Sequence, residues 1–488
     1  QMHDILPGSI IKEAEVDSLS DFDELFRIGE QLLQKSLISI SNNVKTNANS
    51  LVVFNALSWD RTEIMEVNIN SMESDDKKVL QITDQIGRQM RHQILRKTNG
   101  KTSLLFEAEN VPACGYKVFS VNYIPITDIE PIQTSLKGRK EILENKYLRV
   151  QLDSNANVSS LYDKINNREI LPAGVQGGIL QVYEDKPLNH DAWDIDIFYE
   201  SSKQEYITDS SKVELVENGP LRSVIKVVRK FKKSTIEQYI ILYENKDSLD
   251  YRTEVDWQEH YSLMKVKFPT DLNVDRATYE IQFGAVERPT HRNTLWDQAK
   301  FEVYGHKWAD ISEGDYGVSL LNDCKYGYDI HKNDIRLTLL KSPRYPDPSS
   351  DQGFHEFQYS VVPHSGNWTN GIVRKGYEFN SPMLVIECNA NENGTLEKDF
   401  SMFALSDSSV IIDTVKLAED GENIIVRLFE SHNSRSEVKL SSFQKMITVE
   451  EVNILEESKN TMSSKRKEVS FEMLPYKIKT LSLDISEM

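Results

Sequence analysis

The chain has 488 residues, with 57 Lys and Arg against 76 Asp and Glu and a net charge of −19. Functions that need a basic stripe for phosphate are thereby excluded, nucleic acid among them. At roughly 150 residues per domain the length predicts about three domains, and 39% hydrophobic with 27% charged residues is an ordinary globular composition. No stretch approaches the ~20 apolar residues of a membrane helix and no apolar leader opens the chain, so the membrane is not an expected partner.

Residue 1 is Gln rather than Met, which leads us to expect a processed product or a piece of a longer protein. Cys114, Cys324 and Cys388 are odd in number, far apart and without a C-x-x-C pair. That pattern predicts a reducing, cytoplasmic setting and neither a disulfide framework nor a Cys-based zinc site.

From Ser18 to about Ile40, apolar residues three and four apart predict one long helix, with Ser18 and Asp21 placed as a capping box at its start. Its apolar stripe cannot be buried by one helix alone, so packing partners are expected upstream of Gln1. Asn42 to Ser50, rich in Asn, Ser and Thr, reads as a linker. Beyond Leu51 short β-branched and aromatic runs alternate with turn signals, as in Val52-Val53-Phe54, Tyr116 to Tyr123, Ser223 to Phe231 and Leu249 to Trp257. Helical patterns of 10–15 residues between them are missing, which favours antiparallel sandwiches over parallel α/β units. Seams are expected at Pro125 to Gly138 and near Asn389 to Gly394. The predicted organisation is a helical segment at 1–46, a small β-sandwich at 51–125, a large sandwich at 139–390 and a C-terminal sandwich at 396–488.

No H-x-H, H-E-x-x-H, P-loop, G-x-S-x-G or G-x-G-x-x-G occurs. Two segments stand out instead. Asn189 to Asp196 sets rings among carboxylates, and Arg288 to Trp308 holds two His, two Trp and several cations. Carboxylates beside aromatic faces suit a sugar, with acceptors for hydroxyls and rings for the C–H face of a pyranose. The same clusters also serve as inter-strand corners. His3-Asp4, before Pro7-Gly8, reads on residue chemistry alone as a surface or capping histidine.

The strings themselves resemble a known family. Gln1 to Ser9 (QMHDILPGS), Val52 to Trp59 (VVFNALSW) and Leu143 to Leu171 are similar to segments of glycoside hydrolase family 38 α-mannosidases, in the bacterial and cytosolic/vacuolar branch. Asp191 to Asp196 (DAWDID), Arg288 to Asn293 (RPTHRN), Gly305 to Asp310 (GHKWAD), Leu320 to Gly327 (LLNDCKYG) and Val426 to His432 (VRLFESH) follow in the family's order. Ala56 stands where the family usually has Pro.

The resemblance implies a mainly β fold. The end of a helical bundle domain is followed by antiparallel β-sandwich domains, including a large galactose-mutarotase-like supersandwich. It also implies that an N-terminal barrel, carrying the nucleophilic and acid/base Asp and three of four zinc ligands, is missing, so no catalytic residue is expected in this chain. His3 would be the fourth Zn²⁺ ligand, too little to hold the metal alone, and Asp4 its sugar-contacting neighbour. Loops of the β half would reach the sugar through Trp193, Asp194, His306, Lys307, Trp308 and Asp323. The parent is then expected to be a zinc-dependent retaining α-mannosidase acting on mannose-containing oligosaccharides, with this chain alone inactive. The alternative is a non-catalytic carbohydrate-binding or assembly module, and an H-x-D pair in the frame upstream of Gln1 would decide between them. Homo-oligomerisation and linkage preference are left open.

Overall fold

A computed structural model of the chain describes residues 8–70, 78–98, 101–125, 127 and 132–485. The chain is mainly β, in antiparallel ladders. It divides into two compact units, one of residues 1–35, 133–280 and 286–372, the other of residues 36–132, 281–285 and 373–488.

The helix runs Lys12–Ser41 and so begins a turn and a half before the expected Ser18. Ser18 is not a cap. Its hydroxyl donates to the Ala14 carbonyl at 2.7 Å inside the helix, because the run Lys12 to Asp17 is itself helix-compatible and the Pro7-Gly8 break lies upstream of it. Val16, Leu19, Phe22, Leu25, Phe26 and Leu32 are all exposed along it. A stripe of this kind derives its stability from an apolar partner rather than from propensity.

Among the described residues the first unit holds sheets of five, six and nine strands. The six-stranded sheet has strands Gln204–Ile207, Ile179–Glu184, Ser262–Pro269, Asp334–Ser342, Gly327–His331 and Val303–Tyr304 as neighbours in that order. Centred in the nine-stranded sheet are Leu249–Trp257, Gly353–Ser365 and Tyr316–Asn322. Period-two alternation sends Leu180, Val182, Met264, Val266 and Leu337 from one sheet, and Ile240, Tyr251, Val255, Trp257 and Val361 from another, into one shared core. Phe231 stacks on Trp257 with centroids 5.9 Å apart, and Tyr251 on Tyr359 at 4.9 Å. Each such fully buried side chain contributes about 1.5–3 kcal/mol.

The registers locate the ends of these sheets. Glu184 lies opposite Ser262 and Ser262 opposite Ser342. Trp257 lies opposite Gly353, Asn322 opposite Tyr359 and Trp308 opposite Leu321. Residues 258–261 and 343–352 join the two sheets at this end, so the segments after Glu184, before Trp308 and after Asn322 all leave the sandwich there. The helix touches the same end, with Lys12 Nζ 3.8 Å from the Asp347 carboxylate.

In the second unit, Ser50–Asn55 pairs with Gly115–Pro125 and with Leu384–Cys388, while Asp399–Ser401 pairs with Gly115–Pro125 on its other side. The segment read as a seam at 389–394 thus runs between two strands of this sheet, and Thr46 and Asn391 exchange backbone hydrogen bonds at 2.9 Å. Residues 403–485 supply a four-stranded and a five-stranded sheet around Phe403, Val426, Leu428, Leu440, Val449 and Leu483.

Candidate functional site

The loop 185–196 is pinned at that end of the first unit. Lys341 Nζ reaches the Asp185 carboxylate at 2.7 Å and donates to the Asp191 carbonyl. Asp191 accepts from the Arg344 N–H at 2.8 Å, and Asp196 accepts from the Leu188 N–H at 2.8 Å. Burial pushes the Asp185 carboxyl up despite Lys341. Two of the three carboxylates in DAWDID therefore hold the loop. The third, Asp194, is exposed and among the described residues accepts from the adjoining Ile195 N–H at 2.9 Å.

Trp193 is 46% exposed. Its ring meets His190 at 5.7 Å, edge to face, and Tyr345 at 6.1 Å. Alongside lies an open cleft of about 550 Å³ lined by Lys186, Leu188, His190, Asp191, Tyr261 and Tyr345. His190 and Tyr261, both lining the cleft, hold a left-handed backbone at φ 52 and 49. Non-glycine residues adopt that conformation at a cost when their surroundings over-determine it, and such residues cluster at functional sites. The sequence reading passed over Tyr261 and Tyr345. The usable signal was Arg344-Tyr345-Pro346-Asp347-Pro348, an aromatic between a cation and two prolines in a ten-residue connection.

The second group of expected residues lies elsewhere on the sheet. DAWDID follows the second strand, whereas His306 and Lys307 follow the sixth, four strand spacings or roughly 20 Å along the sheet. Lys307 is tied to Glu280, through its N–H at 2.8 Å and its ammonium at 2.9 Å. Asp323 accepts from the Gln358 N–H at 3.0 Å. The His306 ring lies between Tyr304 at 6.0 Å and Tyr326 at 5.0 Å. Trp308 offers no face to a ligand: it is 1% exposed and stacks on Trp368 at 5.3 Å. It starts the strand Trp308–Ser312, whose alternation sends Ala309 and Ile311 into the shared core and leaves Trp308 on the other face, where Trp368 covers it. His3 and Asp4 lie outside the described residues, and among the described residues no three His, Cys, Asp or Glu gather to hold a metal. The described residues alone do not make a zinc site.

Beneath both groups, the outer face of the six-stranded sheet carries a charge-balanced layer. Buried Lys265 pairs with Glu302, Arg336 with Asp329 at 2.6 Å, and Arg292 and Arg336 with Glu200 at 2.9 and 3.2 Å. Burial opposes ionisation of Glu200, but the two arginines outweigh it and hold its carboxyl below the usual range. Tyr199, kept protonated chiefly by burial and then by Asp329, donates to that carboxylate at 2.8 Å. These pairs clamp the segments 197–201 and 292–302 against the sheet.

Two family models match the chain: the glycosyl hydrolases family 38 C-terminal domain over residues 143–349 and the family 38 C-terminal beta sandwich domain over residues 409–481. The chain belongs to glycosyl hydrolase family 38, as its C-terminal portion. Alpha-mannosidase G of Dictyostelium discoideum is 31% identical to 98% of this family 38 chain, which spans 46% of that protein. Alpha-mannosidase 2C1 of Homo sapiens is 30% identical over 89% of the chain and 39% of its own length. The chain thus spans less than half the length of these relatives. The crystal structure of an alpha-mannosidase from Enterococcus faecalis superposes with a TM-score of 0.78 over 97% of this chain and 60% of that one; at 14% identity the likeness is one of fold. No helix among the described residues is long and apolar enough to cross a membrane.

Proposed function

We propose that this chain is part of a longer, zinc-dependent retaining α-mannosidase that removes terminal α-linked mannose from oligosaccharides or glycans in the cytoplasm. The observation that carries the reading is the Trp193 rim on a family 38 scaffold. A half-exposed indole meets a second exposed ring at Tyr345, which lines an open cleft, and the exposed Asp194 carboxylate adjoins the indole in sequence. A pyranose needs that set, apolar faces for its C–H surface and acceptors for its hydroxyls. Asp194 and Trp193 are the groups assigned to the sugar, whereas Lys307 and Asp323, tied to Glu280 and Gln358, hold their loops. Trp308 is omitted because it is buried.

The two carboxyls of a retaining mechanism, one forming the glycosyl-enzyme and the other switching from acid to base, are assigned to a preceding segment of the longer protein. That segment would also cover the apolar stripe of the Lys12–Ser41 helix. His3 is assigned as one zinc ligand and Asp4 as a sugar contact beside it. Hydrolysis of an aryl α-mannoside by the longer protein, with the first-formed anomer read by NMR, tests the reading. The α-anomer and loss of rate on chelation are expected; a β-anomer first, or full activity after the metal is stripped, contradicts it. The 488-residue chain alone should give no turnover, and in the longer protein His3→Ala should lower zinc content and rate together. Survival of both would make His3 structural.

A further inference from the structure

A second concave surface lies on the first unit, at the sheet edge formed by Val303–Tyr304 and Gly327–His331. It is an open cleft of about 350 Å³ lined by Arg288, Lys300, Glu302, Tyr304, Tyr326 and Gly327. Its construction is specific. Glu302 is fixed from below, accepting from the fully buried Lys265 ammonium and from the Thr338 hydroxyl. Lys265 offsets its charge, so the cleft floor offers a hydrogen-bond acceptor without a bare anion. Gly327 is required there, since a Cβ at that position would lie 2.8 Å from Glu302 Oε1 and 3.1 Å from Thr338 Cβ.

The walls are aromatic. Tyr304 and Tyr326 are 55% and 56% exposed, with the His306 ring between them. The Arg288 guanidinium lies 4.7 Å from both the Tyr279 and the Tyr304 ring centroids and donates to the Tyr304 carbonyl at 2.8 Å. That fixes a donor at one side of the cleft, and Lys300 brings a second.

We infer that this cleft is a second saccharide-binding site, in which Tyr304 and Tyr326 cover the C–H faces of one neutral pyranose while Glu302 accepts from, and Arg288 and Lys300 donate to, its hydroxyls. It shares no lining residue with the cleft beside Trp193. The inference rests on the mannosidase reading only for the choice of sugar. Rings for the apolar face, with one acceptor and two donors converging on them, form the complement that sugar binding requires.

The test is binding of a linear α-mannotriose to the 488-residue chain, followed by saturation-transfer NMR and calorimetry, so that catalysis does not enter. Four proteins are compared: the unmodified chain, Trp193→Ala, Tyr304→Ala/Tyr326→Ala and Tyr304→Phe/Tyr326→Phe. The Ala pair should weaken binding at least tenfold with an unchanged melting temperature, both rings being exposed. The Phe pair keeps the ring faces and should bind within about twofold of the unmodified chain. Wild-type-like affinity in the Ala pair, or no binding of the trisaccharide to the unmodified chain at millimolar concentration, overturns the inference. If the Ala pair loses the sugar while Trp193→Ala keeps full affinity, the cleft stands and the rim reading is the one that fails.

Discussion

The segments Asn189 to Asp196 and Gly305 to Asp310 have the same ingredients, Trp and Asp with a nearby His, and leave the sandwich at the same end, yet they come to opposite ends of the burial scale. Trp193 sits in a loop that is held by its backbone and its other carboxylates, Asp191 and Asp196, so its ring is left half in water. Trp308 opens a strand, and the pleat aims its ring at Trp368 while Asp310, two residues on, is buried beside His364 at 2.7 Å. Composition therefore marks a polar-aromatic segment without saying which way it faces. The deciding variable is whether the residue lies on a ladder, where direction alternates with period two, or in a loop whose anchors are supplied by its neighbours.

The largest effect that would break this contrast is at Trp308. Trp308→Ala should cost about 3–5 kcal/mol in urea unfolding; a loss under 1 kcal/mol would mean the ring is not a core residue. Trp308→Phe should cost less than about 1.5 kcal/mol, because the buried indole N–H of Trp308 has no hydrogen-bond partner among the described residues to lose. Next comes Lys341→Met, which strips the loop of the ammonium bound to Asp185 and to the Asp191 carbonyl. About 1–3 kcal/mol of stability should go with those bonds, and hydrogen exchange should quicken across residues 186–194 while residues 305–312 keep their protection. Equal quickening in both segments would show that they do not have separate anchors. The smallest stability effect is expected at Trp193→Ala, within about 0.5 kcal/mol.

The sequence made the architecture legible through two signals: the switch from a helical to a period-two pattern after residue 50, and motifs strung in family order. It did not make the helix start legible. Ser18 mimics a cap, but the turn before it is equally helix-compatible, and only the backbone distinguishes a hydroxyl that caps from one bonded back to Ala14. Strand partners far apart in sequence were equally hidden: nothing local in Leu384–Cys388 says that it pairs with Ser50–Asn55. At the candidate site, composition marked the segment Asn189 to Asp196 and the family resemblance implied Trp193 and Asp194 within it, while neither pointed to Tyr261 and Tyr345, which come from two other connections. Sites assembled by several loops at one sheet end depend on register, which a single sequence specifies only through the fold. The buried Lys265–Glu302 pair was invisible for the same reason, since its members are 37 residues apart on different elements.

The measurement closest to the central claim is steady-state kinetics of the longer protein on an α-linked mannose disaccharide, comparing Trp193→Ala with Trp308→Phe. If the Trp193 rim faces the sugar, Trp193→Ala raises KM about tenfold, equivalent to about 1.4 kcal/mol, with its melting temperature unchanged, and Trp308→Phe leaves KM alone. Unchanged KM and kcat in a fully folded Trp193→Ala enzyme would contradict the assignment and make the exposed indole an ordinary surface residue.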